Sequence, residues 1–370
     1  MDLDGKFSKR FYNNKEDLQK KINEALLQRK SAHTKNVSQI KKDFNLTDNI
    51  KSKHFNDVVR ASKSRIKNNF LNNTVGLNEI RDLNKNIDEF FDKDCSSFMA
   101  IGGLGDLLLA MSSAYDKPNP KILFFANNMR GELAKKLLDF FNIKYLFHKN
   151  LMGTHWCPMI YDRFIKMPTF KTSGHLADAC NYADWFNVEK YKSRIVTKTN
   201  WSEKIGFNRL FPEKYAVICP SGSCKIEVRR RYLSLEEYRT VVAKLLEKNY
   251  KIVTTSDEND LKIYGLFPNP NCYWMTHNHV YNYESKQKEI DIKTFLQTLN
   301  SCDECISMDT YLKTLVMLMD KPVKLIRNRF NGEYHDEKGD CSSQIFLNKE
   351  IWPKLEMYTV DQLLEELNKI

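Results

Sequence analysis

Phe98-Met99-Ala100-Ile101-Gly102-Gly103-Leu104-Gly105-Asp106-Leu107-Leu108-Leu109-Ala110 is the stretch on which the fold turns. A short apolar run breaks into three glycines within four positions, one carboxylate follows, and an apolar segment resumes. The chain has 13 glycines in 370 residues, so this clustering answers a local demand. Glycine lets the backbone turn sharply and lets another molecule come close. The pattern predicts a buried strand over 97–101, a tight loop, and a helix over 106–114. The first N–H groups of that helix are left free at the mouth of a cleft above the strand. Asp106 sits there as a helix cap or as a catalytic base. Gly102, Gly103 and Gly105 either cradle a phosphate or clear room for reacting groups.

Strands and helices alternate on both sides of a break in the chain. After the first strand and helix come a strand over 121–126, a helix over 131–141 with Leu133, Leu137 and Phe140 on one face, and a strand over 143–147. This order predicts a parallel sheet covered by helices on both faces. Residues 148–212 are less regular and carry Trp156, Tyr161, Phe164, Tyr182, Trp185 and Phe186, suited to acceptor-binding loops or to plain aromatic packing. A second unit begins near Tyr215, with strands predicted over 216–219, 250–254, 272–275, 304–307 and 322–326. Ser234 and Glu237 form a capping box ahead of an apolar face of Leu235, Tyr238, Val242 and Leu245. Further helices are predicted after Ser256-Asp257-Glu258, over 292–299 and over 310–319, and Thr359 with Gln362 caps a last one over 360–367. The expected class is α/β: two Rossmann-like doubly wound units facing a cleft, over 95–212 and 213–355. A helical extension over 1–94 precedes them and a C-terminal helix over 356–370 follows. Ligands of such sheets bind beyond the carboxyl ends of the strands.

Composition narrows the class. Apolar residues make up 42% and aromatics 12% of the chain, enough for ordinary cores. No run approaches the roughly 18 apolar residues that span a bilayer, and the first residues lack a signal peptide's apolar segment. The expectation is a soluble, cytoplasmic protein without a transmembrane segment. Nine cysteines, an odd number, fit reduced thiols better than a disulfide framework. Residues 6–67 hold 17 Lys and Arg against 6 Asp and Glu, an excess equal to the whole net charge of +11. That extension is either a solvated helical arm, covering the body or contacting a second subunit, or a contact for a polyanion.

Three loops of the second unit follow predicted strands and suit phosphate. Pro220-Ser221-Gly222-Ser223-Cys224-Lys225 offers backbone N–H groups, two hydroxyls and a cation. Arg229-Arg230-Arg231-Tyr232 offers guanidinium forks. Ser307-Met308-Asp309-Thr310-Tyr311-Leu312-Lys313 opens a helix. Taken singly, these serines and aspartates read as helix caps and the cations as solvated charge. Together they point to a diphosphate held by the second unit.

In their order along the chain, the Gly102–Ala110 loop, Pro220-Ser221-Gly222-Ser223, Arg230-Arg231-Tyr232 and Ser307-Met308-Asp309-Thr310 resemble the ADP-heptose:lipopolysaccharide heptosyltransferase family, glycosyltransferases of the GT-B fold. The resemblance covers residues 96–370. It implies sugar transfer from a nucleotide-sugar co-substrate to an acceptor hydroxyl, with inversion and with no metal or other cofactor. It makes Asp106 the base, with Gly102, Gly103 and Gly105 in the acceptor or sugar loop. It places Arg230, Asp309 and Thr310 on the donor diphosphate, with Ser221, Gly222, Ser223, Lys225 and Lys313 as further donor contacts. Two positions depart from the family pattern: Tyr311 stands where a glycine is usual and Thr314 where a histidine is usual. These departures bear on the donor sugar more than on the fold.

The acceptor implied is a surface glycan or a protein. An alternative is nucleic acid, as in phage-type DNA glycosyltransferases acting on modified bases, with the basic extension supplying salt-sensitive affinity. Anionic lipid would attract the same charge. A second alternative is a non-catalytic nucleotide-sugar-fold binding module. A hydrolase or epimerase shares the fold, but an epimerase is expected to gather several acids and histidines, and Asp106 stands nearly alone in its loop. Cys302 and Cys305 have metal-ligand spacing, and Cys341 and His335 could join them, yet no second pair follows at the right distance. Buried thiols are the simpler reading. His277-Asn278-His279 is either a ribose or base contact or an ordinary loop.

Overall fold

A computed structural model describes residues 89–90, 95–101, 104–115, 117–125, 131–148, 169–170, 200–222, 229–284, 287–330, 333–334 and 353–369. Gly102, Gly103, Ser223, Lys225, His335, Cys341, the aromatic-rich loops and nearly all of the basic extension lie outside the described residues. Asp106 and Arg230 are described by their backbone alone.

The first sheet is parallel, in the order β3-β2-β1-β4, with β1 at Ser96–Ile101, β2 at Pro120–Phe125, β3 at Lys144–His148 and β4 at Thr169–Phe170. Helix α1 (Leu104–Ala114) joins β1 to β2, and α2 (Gly131–Phe140) joins β2 to β3. Helix α1 begins two residues before the predicted start. Leu104 is buried, and its burial carries the first turn into the glycine cluster. Asp106 therefore lies inside the first turn and is not the cap.

A short helix α3 (Ser202–Ile205) leads into the second sheet, whose eight strands run β10-β9-β8-β7-β5-β11-β12-β15. Its members are β5 (Tyr215–Cys219), β7 (Lys251–Thr255), β8 (Cys272–Met275), β9 (His279–Asn282), β10 (Lys288–Glu289), β11 (Glu304–Ser307), β12 (Val323–Ile326) and β15 (Leu355–Tyr358). All neighbours are parallel except at the β8–β9 and β9–β10 edge. Strand β5 is buried along its whole length, and its pleat divides it between two cores. Tyr215, Val217 and Cys219 point into one core, and Ala216 and Ile218 into the other. Helices α4 (Leu235–Glu247), α5 (Glu258–Tyr264) and α8 (Val360–Lys369) cover the second face. Helices α6 (Ile292–Asn300) and α7 (Tyr311–Leu318) cover the first. A small antiparallel sheet of β6 (Arg229–Arg230), β13 (Arg329–Phe330) and β14 (Glu333–Tyr334) stands beside them.

Sequence punctuation explains the boundaries. Ser234 caps α4 in the predicted reciprocal box, with Ser234 N–H on Glu237 Oε2 at 2.7 Å and Glu237 N–H on Ser234 Oγ at 3.2 Å. Thr359 and Gln362 repeat the device at α8. Helices α2, α4 and α7 each end on a short polar residue in the left-handed region: Asn142, Asn249 and Asp320. The turn that follows closes on the helix, as where Tyr250 N–H meets Leu245 O at 3.1 Å.

The two sheets share a core. Leu107, Leu108 and Met111 of α1 belong to the same buried cluster as Leu312, Leu315 and Val316 of α7, and α1 packs against α7. The facing surfaces expected to form a cleft are thus joined along part of their length by an apolar seam. Trp201 locks the seam at one end. It stacks on Phe141 with centroids 4.2 Å apart, and its backbone N–H bonds Leu318 O at 2.9 Å. Ser202 donates to Asn300 Oδ1 at 2.7 Å and also bonds Met319 O. No helix among the described residues is long and apolar enough to cross a membrane.

Candidate functional site

The carboxyl ends of β5, β11 and β12 converge on one carboxylate. Asp309 follows β11 and immediately precedes Thr310, the N-cap of α7, whose hydroxyl accepts from Leu312 N–H at 3.1 Å. Asp309 Oδ1 takes the Lys313 ammonium at 2.5 Å, one helical turn on. Its Oδ2 lies 3.7 Å from Arg231 Nη1 and 3.5 Å from Asn328 Nδ2, beyond the end of β12.

The loop after β5 is threaded through this arrangement. Ser221 bridges Tyr232 in antiparallel fashion, and Gly222 N–H bonds Arg231 O at 2.6 Å. A Cβ at Gly222 would lie 3.3 Å from Arg231 Cβ and 3.4 Å from Asp309 O, so only glycine fits without movement. The loop thus wedges between the arginine segment and the start of α7.

Lys313 is 1% exposed and its ammonium is on Asp309, beneath the loop. Ser221 is buried and gives its hydroxyl proton to Asp260, so that proton is not available to a phosphate. In the arginine triplet, the Arg231 guanidinium is held near the helix start, 3.7 Å from Asp309 Oδ2. Arg230 lies in β6 opposite Arg329 of β13, and Arg329 pairs with Glu237 at 2.6 Å.

Helix α1 brings Gly105 to the same region. A Cβ at Gly105 would lie 3.8 Å from Thr314 Oγ1 in the second turn of α7. The first turn of α1, which carries Asp106, therefore stands beside the first turns of α7.

The His277-Asn278-His279 loop after β8 contacts the first unit. Asn278 accepts from Lys136 Nζ at 2.5 Å and donates to Glu132 Oε1 at 3.2 Å, both on α2. His277 Nε2 lies 4.0 Å from Glu132 Oε1. Burial pushes the His277 imidazole below its ordinary value of 6.5, against the pull of Glu132. The Lys136 bond holds Glu132 below the usual carboxylate range. His279 Nδ1 lies 3.7 Å from Glu258 Oε1. A contact between the two units is the geometry seen, in place of an idle loop.

Cys302 and Cys305 are buried thiols. Cys302 donates to Leu299 O at 3.1 Å, and burial pushes it up to about 12. Among the described residues no cluster of three or more His, Cys, Asp or Glu could hold a metal ion.

Three solved glycosyltransferases are similar to this chain. E. coli heptosyltransferase WaaC with ADP shares 10% identity over 74% of this chain and 98% of its own, with a TM-score of 0.44. E. coli ADP-heptose lps heptosyltransferase II shares 12% over 74% and 97%, at 0.41. The family 9 glycosyl transferase from Veillonella parvula DSM 2008 shares 11% over 64% and 81%, at 0.36. No family model matches the chain, and no curated protein does.

The sequence gives Asn328 and Asp260 no place near the site, and Ser256 only one at a helix start. Each meets its partner through the fold, and only the position of each just after a predicted strand or at a helix start could have raised it.

Proposed function

We propose that the chain is a glycosyltransferase that moves a sugar from a nucleotide-sugar to an acceptor hydroxyl on a glycan or protein, with inversion and without a metal ion. Residues 95–212 would form its acceptor unit and 213–355 its donor unit, in the GT-B manner. The observation that carries this reading is the placement of Arg231, the Gly222 loop and the start of α7 around Asp309, beside the first turn of α1.

A diphosphate at this point would meet the N-terminal turn of α7, the backbone of Gly222 and the Arg231 guanidinium, with Ser223, Lys225 and Arg230 as further arms. Asp106 would take the acceptor hydroxyl's proton as its oxygen attacks the anomeric carbon, and the bond to the nucleoside diphosphate breaks. Base assistance of this kind is worth roughly 10²–10⁴-fold. The charge developing on the leaving group is met by fixed donors and cations that need no reorganisation.

A thermal-shift series with ADP, UDP, GDP and CDP and their sugar conjugates tests the donor site, and stabilisation by one base is expected. Asp106→Asn should keep that shift and lose release of nucleoside diphosphate in the presence of acceptor. No shift with any nucleotide overturns the reading, and full turnover by Asp106→Asn removes Asp106 as base.

A further inference from the structure

We infer that Asp260 is a positioning residue that aims Arg231 at the bound anion, an inference that rests on the nucleotide site proposed above. Asp260 is 2% exposed, in the first turn of α5, with its own N–H on Asp257 Oδ1 at 2.9 Å. Its carboxylate accepts the hydroxyls of both Ser221 and Ser256, whose oxygens lie 3.3 Å apart. Those serines stand beyond the last paired residues of two neighbouring strands, since the β5–β7 ladder ends at Ile218 and Thr254. The sheet no longer couples the two loops at that level. The buried carboxylate does, in the zone where ligands of parallel sheets bind.

The coupling continues outward with little slack. Ser221 is bridged to Tyr232, and Gly222 N–H holds Arg231 O at 2.6 Å. The Gly222 backbone leaves no room for a Cβ between Arg231 and Asp309. Arg231 Nη1 then reaches Asp309 Oδ2 at 3.7 Å. Any shift of Ser221 is passed to the Arg231 backbone and so to its guanidinium. Both hydroxyls meet the same oxygen, Oδ2, so an amide at 260 can hold both on its carbonyl oxygen, whereas alanine removes the acceptor from both. Alanine at 260 would therefore release both hydroxyls and move the loop.

The experiment uses the full chain and the nucleoside diphosphate, among ADP, UDP, GDP and CDP, that stabilises the wild type most. Affinity is measured by titration calorimetry at a temperature where every variant gives the wild-type circular dichroism spectrum. Asp260→Ala and Ser221→Ala are each expected to weaken binding about tenfold, and the double variant no more than the worse single one. In an Arg231→Gln background the Asp260→Ala loss should vanish. A purely structural Asp260 would lower the melting temperature and leave these affinities untouched. Wild-type affinity in Asp260→Ala, or a loss that persists undiminished beside Arg231→Gln, overturns the inference. If Asp260→Ala does not fold, Ser221→Ala with and without Arg231→Gln decides it by the same criteria. No nucleotide stabilising the wild type is a separate result, which removes the nucleotide reading and this inference with it.

Discussion

Lys313 takes a charged group to a depth where water cannot follow, and its ion pair with Asp309 offsets that cost. Removing one member of such a pair strands the other charge, at about 3–5 kcal/mol. Lys313→Met and Asp309→Asn are each expected to lower the urea midpoint by that order. The double variant should lose less than the sum of the two. A midpoint unchanged in either single variant would show the pair to be dispensable. The motif around Asp309 and Thr310 was legible in sequence because it is contiguous: a strand end, an acid, a capping threonine and a helix. Its other partners were not, because the fold recruits them. Asn328 comes from 19 residues away, and Asp260 reaches Ser221 across 39. The charge of Lys313 is plain in the sequence, and its burial against Asp309 is not.

At the level of elements, α1 and α4 bear opposite tests. Gly105 lies within α1, and an added methyl would meet Thr314 Oγ1 at an ordinary 3.8 Å. Glycine inside a helix costs about 1 kcal/mol relative to alanine. Gly105→Ala is therefore expected to raise the melting temperature. If the bare backbone there serves a ligand, activity will fall while stability rises. Ser234→Ala should lose about 1 kcal/mol through the lost cap. Glu237→Ala should lose more, because the same side chain also holds Arg329 of β13. Chemical denaturation of the two variants ranks these effects. The longer helices and the buried parallel strands were legible because apolar period and capping residues agree over many positions. The strands β6, β10, β13 and β14 were not, since two residues carry no period. Strand β15 follows a stretch outside the described residues and finds β12 only in the folded chain.

At the level of the whole molecule, the contact between α2 and the loop after β8 predicts a pH dependence. His277 has a folded value below its ordinary 6.5, so between the two values the folded state binds fewer protons than the unfolded one. Stability therefore rises with pH across that window and falls as the solution is acidified through it. Glu132, also depressed, keeps its contribution until the pH drops through the carboxylate range, so the two windows separate. The melting temperature should decline from about pH 7.5 to about 5.5, and His277→Gln should flatten that decline. An unchanged slope would place the effect elsewhere. The seam between α1 and α7 carries a different consequence. Two lobes hinged about a wet gap can swing open like a book, but lobes sharing a greased edge cannot separate there without exposing it. Such a pair moves by sliding, with side chains changing partners over small steps. A substrate would enter such a protein by a sidelong displacement of the lobes, with Trp201 as the pin about which the slide is limited.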